Sequence, residues 1–222
     1  MIEHLKSAVV MLVILTLITG VVYPLAVTGV AQILFPKQAN GSLIYRSEQG
    51  AGSKVIGSEL IGQKFASARY FHSRPSAAGN GYDAMASGGS NLGPTSKTLV
   101  DRVKNAADQW RAEASGGVKL NASSPLKADA SSQPAAVAFD GLVPVDLVTA
   151  SGSGLDPDIS PAAAALQISR VAQARSMSRE RVEELVHRFT EPRQFGVLGE
   201  PRVNVLRLNL ALDASTPASP KK

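Results

Sequence analysis

No Asp, Glu, Lys or Arg occurs between Lys6 and Lys37, so 37 − 6 − 1 leaves 30 consecutive positions without formal charge. A helix needs only ~20 apolar residues to cross a bilayer, and the pattern predicts a membrane-spanning helix at the start of the chain. A cleaved signal peptide would carry an apolar region of about 7–15 residues. Here strong apolarity runs from Ala8 to Val22 and resumes from Leu25 to Phe35, and Glu3 beside Lys6 makes a poor basic head. Within the run, Thr16, Gly20, Pro24 and Thr28 recur every fourth residue. They share one helix side, the kind of small-residue stripe along which membrane helices approach each other. Pro24 is expected to kink the span, because its ring removes a donor and crowds the preceding turn.

After the anchor the pattern shortens. Ser42–Tyr45 and Lys54–Ile56 read as brief strands between Gly/Ser-rich turns. Turn formers then dominate Arg69–Ser76, Gly79–Tyr82 and Ser87–Pro94, a loop system of the kind that carries binding residues. Thr95 or Ser96 caps a helix with Leu99, Val103, Ala106 and Trp110 on its apolar face. Residues 113–138 turn to Ser, Ala, Gly and Pro and read as a variable linker or insertion. Leu142–Thr149 reads as a short strand. Ser160-Pro161 starts a helix that runs to about Ala174. Ser178 caps another, with Val182, Leu185, Val186 and Phe189 at i, i+3, i+4 and i+7. In Val203–Leu212, Leu206, Leu208, Leu210 and Leu212 alternate with polar residues, which predicts a strand. The expected fold is α+β: one N-terminal transmembrane helix (1–36), then a single small mixed soluble domain (37–212), then a disordered tail (213–222).

Composition narrows the function. Aromatic residues make up 5% of the chain, so the core must be aliphatic and small. The net charge of +5 is spread among acids without a Lys/Arg cluster interleaved with aromatics, which argues against nucleic acid. With no Cys there is neither a disulfide nor a thiolate nucleophile. His4, His72 and His187 form no metal pattern, and His187 is expected to face water. Asp146, Asp156 and Asp158 are too sparsely spaced for a hard-cation loop. Asp156 and Asp158 are expected instead at the positive end of the following helix. The Gly-rich Ser151-Gly152-Ser153-Gly154 precedes a helix start and is the one stretch that offers amides to an anion, but no Walker A Gly-Lys-Ser/Thr follows. No Gly-x-Ser-x-Gly elbow appears. Charges flanking the span, Lys6 before it and Lys37, Arg46 and Lys54 after it, weakly favour a cytoplasmic domain.

Several blocks in order carry a resemblance: Tyr23-Pro24 with Gln38–Leu43, Tyr70–Ser76 with Ser87–Leu92, Val148–Ser151 through Ser160, and Val203–Leu212. Together they resemble the C-subunit family of the Kdp potassium-transporting ATPase, a bacterial P-type pump complex. The resemblance implies a subunit of the inner membrane that performs no chemistry and has no cofactor of its own. ATP, Mg and potassium belong to the assembled complex. The implied partners are an ATP-hydrolysing pump subunit, a channel-like potassium-binding subunit and a small single-span subunit. The implied role is that of a catalytic chaperone raising ATP affinity, with its domain outside the cytoplasm, against the local charge count. The alternative is a direct nucleotide-binding module using Ser151–Gly154. Expected docking residues are Thr16, Gly20, Pro24 and Thr28 in the anchor, and Tyr70, Phe71, Arg74, Ser87, Asn91 and Asp156 in the loops.

Overall fold

The computed structural model describes residues 2–48, 52–115 and 141–215. The chain forms two compact units, 1–58 and 59–222.

The first unit opens with α1 (Ile2–Leu17), a π-helical turn (Ile18–Val22) and α2 (Tyr23–Leu34). Glu3–Leu34 is a continuous apolar helix of 32 residues with none of its most apolar stretch buried in the protein, long enough to cross a bilayer. The wide turn has a cause. Pro24 cannot donate, and its ring would crowd the carbonyl four residues back. Tyr23 N donates five residues back, to Ile18 O, and so opens the ladder just before the proline. Thr19 Oγ1 donates to Leu15 O at 2.7 Å. After a single turn, α3 (Pro36–Ala39), the antiparallel hairpin β1 (Leu43–Glu48) and β2 (Gly52–Ser58) completes the unit, in agreement with the two expected strands.

The second unit packs α4 (Lys97–Ser115), α5 (Pro161–Arg175), α6 (Arg179–Arg188) and α7 (Val205–Ser215) around a small antiparallel sheet in the order β3-β5-β4. Its strands are β3 (Asp158–Ile159), β4 (Thr190–Glu191) and β5 (Arg202–Asn204). Each expected helix forms. Ser160 Oγ accepts from Ala163 N and Ser178 Oγ from Arg181 N, the anticipated caps. Val182, Leu185 and Val186 are buried with Phe71, Leu147, Ile168, Val171, Val203, Leu208 and Leu212 in one core, while His187 is exposed.

Three expectations fail. Val203–Leu212 is a strand only to Asn204, whose side-chain Oδ1 accepts from Arg207 N and caps α7. Val205, Leu208, Asn209 and Leu212, spaced by three or four, form the buried face. Leu142–Thr149 is no strand. A 3-10 turn at Val145–Leu147 follows Pro144 instead, and Thr149 Oγ1 folds back to Val145 O at 2.7 Å. Asp213–Ser215, assigned above to the tail, finish α7, and Asp213 pairs with the buried Arg175 at 2.8 Å. Of the expected linker, Glu113–Ser115 belong to α4 and the remainder, with residues 216–222, lies outside the described residues.

Candidate functional site

Two loops, 74–94 and 150–156, meet on the surface of the second unit through polar contacts. Arg74 Nη1 donates to Asp156 Oδ2 at 2.9 Å, and Nη2 reaches Ala150 O at 3.5 Å. Ser76 Oγ is the hub: it donates to Gly154 O at 2.6 Å and accepts from Tyr82 N at 2.7 Å and Ala78 N at 3.2 Å. Tyr82 OH closes the turn onto Arg74 O at 2.6 Å, and burial pushes the phenol above its ordinary value, so it stays a donor. Further out, Ser87 Oγ and Gly88 N both donate to Ser153 O, at 3.0 and 2.9 Å. Gly154 has φ +68°, and a Cβ there would lie 2.7 Å from both Ala78 N and Gly88 O, so only glycine lets the loops touch.

The result is a preorganised platform whose rim, Met85, Ser87, Asn91, Gly152 and Ser153, is exposed. Arg74, Ser87 and Asp156, read from the sequence as docking residues, are brought together here, and Asn91 sits on the same loop with φ +52°. Tyr70 and Phe71 are not part of the rim. Phe71 is fully buried and belongs to the core, which corrects its placement on a docking surface. Tyr70 OH bonds Asp213 Oδ2 at 3.1 Å, with Arg175 stacked 4.9 Å from its ring centre. Thr16, Gly20, Pro24 and Thr28 are exposed along the anchor, with Gly20 inside the π turn that lies between Thr16 and Pro24. Ser76 and Tyr82 lie in the turn-rich stretches expected to carry binding residues but are not among the expected docking residues. Their signal was an aromatic set among turn formers in a chain poor in aromatics.

The segment beneath the platform is held by two side-chain amides. Asn209 Oδ1 accepts from Phe71 N at 2.8 Å and its Nδ2 donates to Phe71 O at 3.0 Å. Gln167 does the same for His72, at 2.7 and 3.2 Å. The His72 ring lies edge-on to Trp110, and burial, aided by the Arg170 charge, lowers its pKa below 6.5.

The carboxylates are also placed differently from expectation. Asp146, not Asp156 or Asp158, serves the start of α5, accepting from Ser160 N at 2.7 Å and Ser160 Oγ at 3.2 Å. Asp158 meets Arg202 at 3.2 Å and Asn204 Nδ2 at 3.1 Å, and burial raises its pKa. Among the described residues no group of three or more His, Asp or Glu could hold a metal ion. Ser151–Gly154 stands apart from the α5 start, with β3 between them, and Gly154 N and Leu155 N are bonded within the loop, to Ser151 O and Ser153 Oγ.

The family model for KdpC, described as the c chain of the K+-transporting ATPase, matches residues 5–214. Curated relatives named potassium-transporting ATPase KdpC subunit are 55% identical in Gemmatimonas aurantiaca (99% of this chain, 97% of the relative) and 52% identical in Rhodospirillum rubrum (98% of each). The one in Methylococcus capsulatus is 54% identical (96% of this chain, 99% of the relative).

Proposed function

The chain belongs to the KdpC family of potassium-transporting ATPase subunits, and from that premise we propose a non-catalytic, single-span accessory subunit whose loop platform docks on the larger subunits of an ATP-driven potassium-uptake complex. Its partners in this reading are the ATP-hydrolysing subunit, the channel-like subunit and the small single-span subunit. ATP, Mg and potassium are bound by those partners. The domain lies outside the cytoplasm, and the chain raises ATP affinity from a distance, as a catalytic chaperone acting through the assembly.

The observation that carries this reading is the closure of Ser151–Gly154 on the 76–89 loop. A phosphate cradle presents free amides at a helix start. Here the Ser153 and Gly154 carbonyls hold the neighbouring loop, the Gly154 and Leu155 amides are bonded within their own loop, and Asp146 and Ser160 occupy the start of α5. What remains exposed is a rigid rim, which suits a protein partner. The anchor raises the effective concentration of that rim at the membrane, so a modest surface suffices.

The test is calorimetry of ATP into the purified full-length chain together with the ATP dependence of the complex. The expected result is no binding by the chain alone and a weaker apparent ATP affinity of the complex when the chain is omitted. Tight ATP binding by the chain, lost in Gly152→Ala/Ser153→Ala, would establish the direct nucleotide site instead. Orientation is read separately. In a chain without Cys, Ser53→Cys and Glu180→Cys should react with a membrane-impermeant maleimide in intact spheroplasts, and labelling only after lysis overturns the external placement.

A further inference from the structure

We propose that the turn Phe195–Leu198, on the excursion between β4 and β5, is an apolar plug that seats in an apolar socket on another protein subunit of the ATPase complex. The proposal rests on the family reading above and concerns a second contact, distinct from the loop platform.

The turn is built rigidly and presents apolar side chains to solvent. Gln194 and Leu198 exchange backbone bonds at 2.9 Å in both directions, and Val197 N adds a bond to Gln194 O at 3.2 Å. At the base, Arg193 Nη2 contacts both carboxylate oxygens of Glu200, at 2.8 and 2.7 Å. The apex then displays Phe195 at 92%, Val197 at 72% and Leu198 at 57% exposure. Phe195 and Gly196 have φ +52° and +77°. Paired positive φ values in a tight reversal favour Asn-Gly, because a bulky side chain is strained in the left-handed region. Phenylalanine at the first of them is therefore unfavourable twice over, in backbone conformation and in exposed apolar surface. Among the described residues no side-chain packing covers Phe195 to offset either cost.

Charge and area choose among the occupants. A second copy of the chain would need roughly 800 Å² per partner for a stable dimer, far more than one aromatic of about 150–250 Å² and two aliphatic neighbours supply. An anionic lipid surface attracts unpaired basic residues. Around this tip the arginines are paired: Arg193 with Glu200, Arg202 with Asp158 and Glu191, and Arg207 with Glu191. A small, rigid, charge-neutral apolar apex matches a protein pocket with a polar rim, where a preorganised aromatic loses little entropy on binding. In this reading the loop platform already holds the chain to the complex, a first contact that a second copy of the chain does not share, so a second contact of this size is sufficient there.

Phe195→Asn separates the tip's role from its stability. In the full-length detergent-solubilised chain this change should raise Tm by about 2–4 °C by relieving the strain. In the assembled complex it should speed dissociation of the chain at least tenfold. A photo-reactive benzoylphenylalanine at position 195 should form an adduct with another subunit, whereas one at position 180, on the exposed side of α6, should not. Failure of the wild-type chain to co-purify with any ATPase subunit would defeat the family-level reading itself. Normal assembly with unchanged dissociation of Phe195→Asn, or an adduct at position 195 to lipid or to a second copy of the chain only, would overturn the plug alone.

Discussion

The anchor and the segment Tyr70–Arg74 solve the same problem in opposite ways. Both carry backbone through apolar surroundings, where every amide and carbonyl needs a partner. The anchor closes its bonds within itself, as a helix, and tolerates one defect at the π turn before Pro24. The segment is extended and borrows its partners: Asn209 bonds both polar groups of Phe71 from 138 residues away, and Gln167 those of His72 from 95 away. Local solutions leave a periodic trace in the sequence. Remote ones leave a single polar residue on an otherwise apolar face.

The sharpest way to break this comparison is to remove one remote partner. Asn209→Leu is close in volume and suits a helix, but it strands the buried N–H and C=O of Phe71. Each of the two unsatisfied groups costs about 1–3 kcal/mol, so the expected loss is about 2–6 kcal/mol. Urea unfolding of the full-length chain in detergent, followed by Trp110 fluorescence, reads it directly. A loss below about 1 kcal/mol would mean that water replaces the amide and that the segment is not held as described.

Gly154→Ala probes the platform above that segment. The added methyl meets Ala78 N and Gly88 O at 2.7 Å in a left-handed backbone, so the loops must separate. A destabilisation of about 2 kcal/mol is expected from conformational strain and the clash together. Gly152→Ala, where a Cβ meets nothing within 4 Å, should be near neutral. Equal behaviour of the two would show that loop contact is not what fixes Gly154.

These sites mark how far the sequence was readable. The anchor, the two Ser-capped helices and the hairpin were legible because their signals are local: charge-free length, Ser-Pro, i to i+7 spacing. The C-terminal element was misread because Leu at every second position is a strand pattern, while Val205, Leu208 and Leu212, at i, i+3 and i+7, carry a helical one in the same residues. The arbiter was Asn204, a helix cap, together with Asn209, a polar residue that belongs on the buried side only if the segment is helical. The loop platform was half legible. Arg74, Ser87 and Asp156 were singled out, but Phe71 was not seen as core, because an aromatic between Tyr70 and His72 in a turn-rich stretch has no periodic neighbours. Arg175 and Asp213 pair across 38 residues, and neither was marked.

The His72 ring tests the clamp with a smaller effect. Its folded pKa lies below the unfolded value of 6.5, through burial first and the Arg170 charge second, with Glu113 and the Ser67 carbonyl opposing. The unfolded chain therefore takes up the proton first as pH falls. Stability is complete above pH 6.5 and declines as pH drops below it through this window. His72→Gln, which leaves the Gln167 bonds to the main chain in place, should flatten that decline between pH 7.5 and 5.5. An unaltered slope would assign the pH dependence to other groups.

The smallest expected effect on the chain alone comes from Gly20→Leu in the anchor, and for a reason that completes the comparison. A Cβ at Gly20 meets nothing within 4 Å, and the helix satisfies its backbone without help from the rest of the protein. Enlarging this residue should leave the unfolding midpoint of the domain unchanged, where Asn209→Leu lowers it sharply. In the complex the order reverses in kind. Helices in lipid associate through close backbone approach at small residues, so Gly20→Leu should reduce co-purification with the other subunits, while Val21→Leu, off the Gly20–Pro24–Thr28 line, should matter less. Equal co-purification of the two variants would reduce the stripe to ordinary membrane-helix composition. A lowered domain midpoint in Gly20→Leu would instead mean that the anchor leans on its own chain, and the self-sufficiency that separates it from the clamped segment would be lost.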